Sequence, residues 1–313
     1  LLGPLKDIHS QMRMIVNTIK YNPLHGSQMG AALHREQHNA PQLRVGRRAQ
    51  SRPSMKNLFD VSGKVALVTG GSRGIGEMIA EGFVANGVKT YISSRKVEAC
   101  DATAARLSKI GECISVPADL STAEGISSLA KAIQGRESQL DILVNNAGAA
   151  WGAPIEAFPE SGWDKVMNIN VKSPFFLTQA LLPLLEKSAS PDDPARIIMV
   201  GSVDGLGVNQ LPTFSYGPSK AAVHHLTRVL ASHLADRNIA VNAIAPGPFP
   251  SQMMAHTLDT MGEKIRQGVP LKRIGEAGDM AGAAIYLSSK ASSYVTGVVI
   301  PVDGGIIGCS GTL

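Results

Sequence analysis

The sequence predicts an α/β protein with a single doubly wound parallel sheet and helices on both faces. Short apolar runs rich in valine and isoleucine alternate along the chain with longer segments of helical periodicity. A glycine-rich turn follows the first run, as a tight strand–helix connection requires. The composition agrees, because 44% of residues are hydrophobic, only 4% are aromatic and glycine occurs 32 times.

Seven strands are predicted from the apolar runs, of which KVALVT, LDILVN and ARIIMVG are continuous enough for buried parallel strands. The predicted strands cover residues 64–69, 88–94, 113–117, 140–145, 195–201, 239–245 and 298–302. Helical patterns separate them near residues 74–86, 96–110, 121–135, 161–187, 215–236 and 276–288, and a Pro/Gly-rich stretch with a short helix occupies 246–273. This alternation favours right-handed crossovers between parallel strands.

The charge distribution divides the chain at residue 54. Residues 1–54 carry eight basic and two acidic side chains, whereas residues 55–313 carry 22 basic and 23 acidic ones. Two interpretations of residues 1–54 stand at even weight: a targeting or disordered extension, and translated sequence upstream of a true start at Met55. We therefore expect one cofactor-binding domain over residues 55–313.

Several classes of protein are disfavoured by composition. No uncharged apolar run reaches the length of a membrane span, and the near-neutral body lacks the basic balance of a nucleic-acid-binding domain. Three cysteines without a C-x-x-C pair predict neither a disulfide framework nor a zinc site, and no other metal motif occurs. We expect a reducing compartment, the cytoplasm, or a mitochondrion or other organelle if residues 1–54 are a transit peptide.

The glycine turn TGGSRGIG, residues 69–76, predicts a dinucleotide site of the Rossmann type. Its glycines let the backbone approach phosphates, and the following helix offers free N–H groups at its N-terminus. A P-loop is excluded because Glu77 follows Gly76 where a lysine is needed. The second strand ends in Ser94-Arg95 without a carboxylate, so Arg73 and Arg95 predict the 2′-phosphate of NADPH.

A candidate catalytic group begins the helix near 215–236. Tyr216 and Lys220 are four residues apart and share a helical face, so the ammonium is expected to lower the tyrosine pKa toward neutrality. Ser202 lies at the end of the fifth strand, where ligands bind in this architecture, and its hydroxyl can hold a carbonyl oxygen.

These segments together resemble the short-chain dehydrogenase/reductase family over the whole of 55–313. The matching motifs occur in the family's order: TGGSRGIG (69–76), ADLS (118–121), NNAG (145–148), MNINVKS (167–173), GSVDG (201–205), YGPSK (216–220), NAIAPG (242–247) and VTGVVIPVDGG (295–305). The resemblance implies a Rossmann-type fold that binds NADPH and reduces a ketone to a secondary alcohol.

The resemblance also implies roles for individual residues. In the catalytic tetrad Tyr216 is the acid/base, Ser202 orients the carbonyl, Lys220 binds the nicotinamide ribose, and Asn170 holds a water that links Lys220 to solvent. Asn168 competes for this last role, but the Val-Lys-Ser after Asn170 favours Asn170. The implied cofactor-binding residues are Gly70, Ser72, Arg73, Gly74, Ile75, Gly76, Ser94, Arg95, Asp119, Leu120, Asn146, Ala147, Gly148, Pro246, Gly247 and Ser251, together with Tyr216 and Lys220.

Within the family the sequence is similar to β-ketoacyl reductases, particularly the rhamnolipid-pathway type, which implies a 3-oxoacyl thioester substrate and a homodimer or homotetramer. Asp192 and Asp193 stand before the fifth strand, where carrier-protein-dependent reductases often have basic residues. We expect these aspartates to repel an acidic carrier protein, which leaves a coenzyme A thioester or a free ketone open. Another ketone substrate (steroid, sugar or xenobiotic) and a non-catalytic NADPH sensor are the alternatives.

The stretch 248–273 is predicted to form a substrate lid rather than a floppy loop. It follows the predicted nicotinamide-contacting residues, and its methionines, Met253, Met254 and Met261, can adapt to acyl chains.

A protein that begins at Met55 is expected to fold and to keep full activity, because every candidate site residue lies beyond residue 68. Circular dichroism and turnover of this shortened protein, compared with the full chain, check the prediction. A shortened protein that fails to fold would show that residues 1–54 pack on the domain.

Overall fold

The computed structural model describes residues 55–251 and 254–309, which form one seven-stranded parallel sheet. Residues 1–54, and with them both interpretations of the extension, lie outside the described residues. The strand order is β3-β2-β1-β4-β5-β6-β7. The strands are β1 Val65–Thr69, β2 Lys89–Ser93, β3 Cys113–Ser115, β4 Ile142–Asn145, β5 Ala195–Val200, β6 Ile239–Pro246 and β7 Val299–Val302. The predicted doubly wound α/β class and all seven predicted strands are confirmed, with ends shifted by one or two residues.

Nine α-helices accompany the sheet within the described residues. They are α1 Gly74–Ala85, α2 Val97–Leu107, α3 Ala123–Gln134, α4 Glu160–Met167, α5 Ser173–Ser188, α6 Tyr216–Leu234, α7 Ala255–Gly268, α8 Ala277–Ser288 and the short α9 Ile306–Cys309. Short 3-10 turns at Ile155–Ala157, Val203–Gly205, Ala235–Arg237 and Lys290–Ser292, and helix α9, were not predicted from the sequence. Among the helices described, none is both long and apolar enough to cross a bilayer.

Two hydrophobic cores lie on opposite faces of the sheet. Successive residues of a strand point to opposite faces, so Ile197 and Met199 of β5 join one core while Ile198 and Val200 join the other. The first core is completed by α3, α5 and α6, and the second by α1, α2 and α8. Both faces are therefore covered, as the apolar runs in the sequence predict.

The long helix predicted over 161–187 is interrupted by a π-helical turn at Asn168–Lys172, between α4 and α5. Ser173 N–H donates to the carbonyl of Asn168, five residues earlier, and Pro174 has no N–H to continue the ordinary pattern. Such turns occur often at functional sites. This π-helical turn contains Asn170.

The strand order reverses between β1 and β4, the place where ligands bind in open α/β sheets. The chain winds outward from β1 to β3 in one direction and returns through β4 to β7 in the other. The connections after β1 and β4 therefore diverge at their carboxyl ends, where ligands bind in open α/β sheets. The glycine turn follows β1 and the NNAG segment follows β4.

Candidate active site

The glycine turn has the open backbone that a dinucleotide phosphate needs. Gly70 and Gly74 have φ angles of +65° and +56°, which favour glycine over other residues. A Cβ at Gly70 would come within 2.7 Å of Asn146 Nδ2, and a Cβ at Gly76 would collide with the carbonyl of Gly70. The turn is thus drawn tight against the start of α1 and the NNAG segment, as a phosphate-binding turn requires.

The NNAG segment braces this turn. Thr69 Oγ1 accepts hydrogen bonds from the backbone N–H groups of Asn146 (2.9 Å) and Ala147 (3.0 Å) and donates to Val144 O. Asn146 Nδ2 donates to the carbonyls of Thr69 (2.8 Å) and Gly70 (3.2 Å). The side chain of Asn146, predicted to bind the cofactor, is therefore engaged in holding the turn to β4.

The other residues predicted on the turn take structural positions around it. The carbonyl of Ser72 accepts a hydrogen bond from Thr103 Oγ1 at 3.0 Å, which joins the turn to α2. Ile75 is half-buried against the core that contains α1. A Cβ at Gly74 would lie 3.2 Å from Ser251 Cβ, so Ser251 stands directly over the turn.

The corner predicted to hold a 2′-phosphate is formed by the ends of β2 and β3. Arg95 is exposed there, Arg73 is exposed on the glycine turn, and Ser94 O accepts from Ala118 N at 3.1 Å. Burial alone would raise the pKa of Asp119, but hydrogen bonds from Ser121 and the charge of Arg95 hold it below its usual value. Asp119 is thus an ionised neighbour of Arg95. Leu120, also predicted to bind the cofactor, is buried in the first core.

Ser202, Tyr216 and Lys220 meet at the carboxyl end of β5. Ser202 Oγ accepts the N–H of Asp204 at 3.1 Å and is hydrogen-bonded to Tyr216. Lys220 Nζ donates to the carbonyl of Val200 at 2.8 Å and lies 5.6 Å from the centre of the Tyr216 ring. Helix α6 starts at Tyr216, so the two side chains share its face as predicted.

Asn170 joins this group through the π-helical turn. Its Oδ1 accepts from Ala149 N (2.8 Å), and its Nδ2 donates to Ala149 O (3.0 Å) and to Ser219 Oγ (2.9 Å). Asn170 is buried and tied to the residue before Lys220, whereas Asn168 lines a groove beside α3. Of the two asparagines, the structure therefore brings Asn170 to the cluster.

The expectation that Lys220 lowers the Tyr216 pKa toward neutrality is wrong for the unliganded chain. Burial raises the pKa of Tyr216 to about 12, and the nearby Asp204 adds to the rise, while the bond to Ser202 opposes it. Burial also lowers the pKa of Lys220 to about 8, against the attraction of Asp204. The spacing on the helix predicted the neighbours correctly, but burial is the largest influence on the pKa of each.

Three other predicted residues, Gly148, Pro246 and Gly247, lie at or just after the carboxyl ends of β4 and β6. A Cβ at Gly148 would lie 3.2 Å from Asn170 Oδ1 and 3.7 Å from Lys220 Nζ, so Gly148 keeps the space between them open. Pro246 ends β6, and Gly247 N donates to Val302 O at 3.0 Å. Helix α7 follows within the stretch predicted as a lid, and Met253 lies outside the described residues.

Two further residues at the site were not assigned a role from the sequence. Asp204 lies close enough to Lys220 and Tyr216 to shift the pKa of each, and its own pKa is raised by burial despite a bond from Asn209. Its place in GSVDG, two residues after Ser202, was a usable signal. His224 packs beneath the same turn, one helical turn after Lys220. The described residues contain no group of three or more His, Cys, Asp or Glu side chains placed to hold a metal ion.

Comparison with known proteins decides the family. A profile described as Enoyl-(Acyl carrier protein) reductase matches residues 70–307. The rhamnolipids biosynthesis 3-oxoacyl-[acyl-carrier-protein] reductase of Pseudomonas aeruginosa is 49% identical over 253 residues, which are 80% of this chain and 99% of that protein. The chain belongs to the short-chain dehydrogenase/reductase family.

Solved structures agree with this membership. The Pseudomonas aeruginosa RhlG/NADP active-site complex matches with a TM-score of 0.78 and 49% identity, covering 81% of this chain and 100% of that one. A putative NAD(P)-dependent gluconate 5-dehydrogenase from Beutenbergia cavernae with bound NADP matches with a TM-score of 0.74 and 32% identity, covering 80% and 99%. The predicted family, Rossmann-type fold and oxidoreductase class are confirmed, and NADP is the cofactor present in both solved relatives.

Proposed function

We propose that this short-chain dehydrogenase/reductase uses NADPH to reduce the ketone of a 3-oxoacyl thioester to a secondary alcohol. The observation that carries the proposal is the meeting of Ser202, Tyr216 and Lys220 beside the glycine turn. NADPH would supply a hydride to the carbonyl carbon. The chain itself must then supply a proton to the carbonyl oxygen and stabilise the negative charge that builds there.

Each polar group has one role in that step. Tyr216 is protonated at neutral pH, because its pKa is raised to about 12, and it gives its proton to the carbonyl oxygen. Ser202 Oγ already accepts from Asp204 N–H, so its own proton is available to hydrogen-bond the same oxygen. Lys220 is cationic at neutral pH and stabilises the phenolate that Tyr216 becomes. Asn170 fixes Ser219 beside Lys220, and so orders the path by which Tyr216 regains a proton.

The fit of NADPH rests on the glycine turn and the corner beside it. The two left-handed glycines leave the backbone bare, and the exposed Arg73 and Arg95 are the cations that would bind the ribose 2′-phosphate. Ser94 stands at the end of β2, where a carboxylate would be needed to bind the 2′-hydroxyl of NADH.

An apolar rim around the entrance supports an acyl substrate. The segment between Ser202 and Tyr216 exposes Leu206, Val208, Leu211 and Phe214, with 93% of Val208 open to solvent. It meets the segment after β4, where Ala153 N donates to Pro212 O and the rings of Phe158 and Phe214 lie 5.7 Å apart. A polar sugar acid would gain little from such a rim, whereas an alkyl chain would bury it.

The aspartates before β5 do not decide whether the thioester is carried by coenzyme A or by a carrier protein. Asp193 binds Lys64 Nζ at 2.7 Å and the buried Arg196 at 3.4 Å, so its charge is balanced within the fold. Asp192 remains as an exposed acid. The predicted repulsion of an acidic carrier protein is therefore weaker than the sequence indicated, and both carriers belong in the test.

We also propose that the chain assembles as a dimer or tetramer through α4, α5 and α6. These helices expose large apolar side chains that a monomer would leave in water: Trp163, Phe175, Phe176 and Val229.

The substrate assignment is tested by measuring NADPH oxidation with several candidate substrates, of which the thioesters share one acyl chain. The 3-oxoacyl-coenzyme A and 3-oxoacyl-carrier-protein thioesters are compared with the matching enoyl thioester, a keto sugar acid and a keto steroid. We expect turnover of a 3-oxoacyl thioester and formation of the 3-hydroxy product. Preferential turnover of the enoyl thioester, sugar acid or steroid, or binding without turnover, would contradict the proposal.

Cofactor choice is expected to depend on Arg95. Two charge-assisted contacts at about 1.5–3 kcal/mol each imply a preference for NADPH over NADH of about a hundredfold or more in kcat/KM. Arg95→Asp should weaken the use of NADPH and improve the use of NADH, while Arg136→Asp, an exposed arginine after α3, should change neither. Equal kcat/KM for the two cofactors in the unsubstituted protein would refute the argument.

The proton donor is tested by Tyr216→Phe, which keeps the ring and removes the proton. We expect kcat to fall by about 10²–10⁴ while NADPH binding survives. Lys220→Met should damage both, and the double variant should be little worse than Lys220→Met alone, because the two residues act as a unit. Tyr286→Phe, in α8, serves as the control. If Tyr216→Phe keeps more than about a tenth of the rate with chemistry rate-limiting, the assigned acid is the wrong residue.

A further inference from the structure

His224 is buried where no structural requirement of the helix demands a polar side chain. Only 3% of its surface is exposed, and it belongs to a face of α6 that also carries Tyr216 and Lys220 at intervals of four residues. Its Nδ1 has no hydrogen-bond partner of ordinary geometry among the described residues, although the backbone of Gly205 lies close enough to act on the ring. A buried polar atom without a partner costs free energy, so an apolar residue would be more stabilising here unless the ring performs another task.

The ring lies directly beneath the turn that carries Ser202. A Cβ at Gly201 would collide with His224 Nε2, and a Cβ at Gly205 would come within 2.7 Å of its Cε1. The two glycines of GSVDG therefore leave the space that the imidazole fills. This close packing fixes the height of the turn above α6.

The ring also contacts the backbone of Ser202 itself. Ser202 N–H points at His224 Nε2 with a nitrogen–nitrogen distance of 3.5 Å, a long hydrogen bond in which the imidazole accepts. Burial lowers the pKa of His224, so the ring is neutral at neutral pH and Nε2 keeps the lone pair that this bond needs. His224 Nε2 is therefore a fixed acceptor for the backbone N–H of Ser202.

Ser202 Oγ is held from the opposite side by Asp204 N–H at 3.1 Å. His224 holds the backbone of Ser202 and Asp204 holds its oxygen, and the hydroxyl of Ser202 is hydrogen-bonded to Tyr216. A displacement of about 1 Å in such a group can cost about 10²-fold in rate.

We propose that His224 is a positioning residue for carbonyl reduction, which acts by holding Ser202 through its backbone. The inference rests on the proposed function, in which Ser202 binds the carbonyl oxygen. In this role the buried imidazole places one hydrogen-bond donor, the Ser202 hydroxyl, and takes no part in cofactor binding.

The test compares His224→Gln with His224→Asn. The amide of glutamine reaches the position of Nε2, whereas that of asparagine is one methylene too short, and both variants remain polar. We expect His224→Gln to stay within about threefold of the unsubstituted kcat and His224→Asn to lose about 10- to 100-fold, with Kd for NADPH unchanged in both. His225→Leu, at the exposed neighbouring position, is the matched control and should leave kcat unchanged.

A double-variant cycle with Ser202→Ala separates positioning from a general structural role. If His224 acts through Ser202, His224→Asn should reduce kcat little further when Ser202 is already alanine. Equal kcat for the glutamine and asparagine variants, or losses that multiply in the double variant, would overturn the inference. Ser202→Ala without any loss of kcat would instead refute the proposed function. Thermal melting identifies any variant that has lost its fold. If one comparison is lost in this way, the other, between the two His224 variants or within the cycle with Ser202→Ala, still tests whether His224 positions Ser202.

Discussion

The site depends on one face of α6 being held against the carboxyl end of β5. Lys220 Nζ is bonded to Val200 O, and His224 fills the space that Gly201 and Gly205 leave in the turn after β5. Tyr216 begins the same face and is bonded to Ser202. Helix α6 therefore positions three side chains at once, and the turn after β5 supplies the fourth group, Ser202. If this contact were lost, the proton donor Tyr216 and the carbonyl-binding Ser202 would move apart.

Burial sets the chemistry of that face as strongly as charge does. The cluster contains a lysine with a pKa lowered to about 8 and a tyrosine with a pKa raised to about 12, both chiefly because water is excluded. Such a tyrosine is a stored proton donor rather than a resting phenolate, which suits reduction more than oxidation. A positive charge placed beside it would favour the phenolate.

Local sequence patterns predicted the strands and the helical neighbours, whereas features that arise from packing between distant segments were missed. Strand β1 was found because its apolar run is continuous, and Tyr216 and Lys220 because four-residue spacing on a helix fixes their neighbourhood. The π-helical turn around Asn170 was missed, because a helical period hardly changes when one residue is added. The raised pKa of Tyr216 and the packing of His224 against Gly201 depend on which distant chain segments come together and exclude water there. The spacing of residues along the sequence does not contain that information.

The state of Tyr216 before any nucleotide binds is the most direct test of its role as a stored proton donor. An ultraviolet titration of the unsubstituted protein minus that of Tyr216→Phe isolates its ionisation, since phenolate absorbs at longer wavelength than phenol. We predict no ionisation of Tyr216 below about pH 10 in the free protein, and a lower pKa once NADP⁺ is added. A phenolate already present near neutral pH in the free protein would contradict this role.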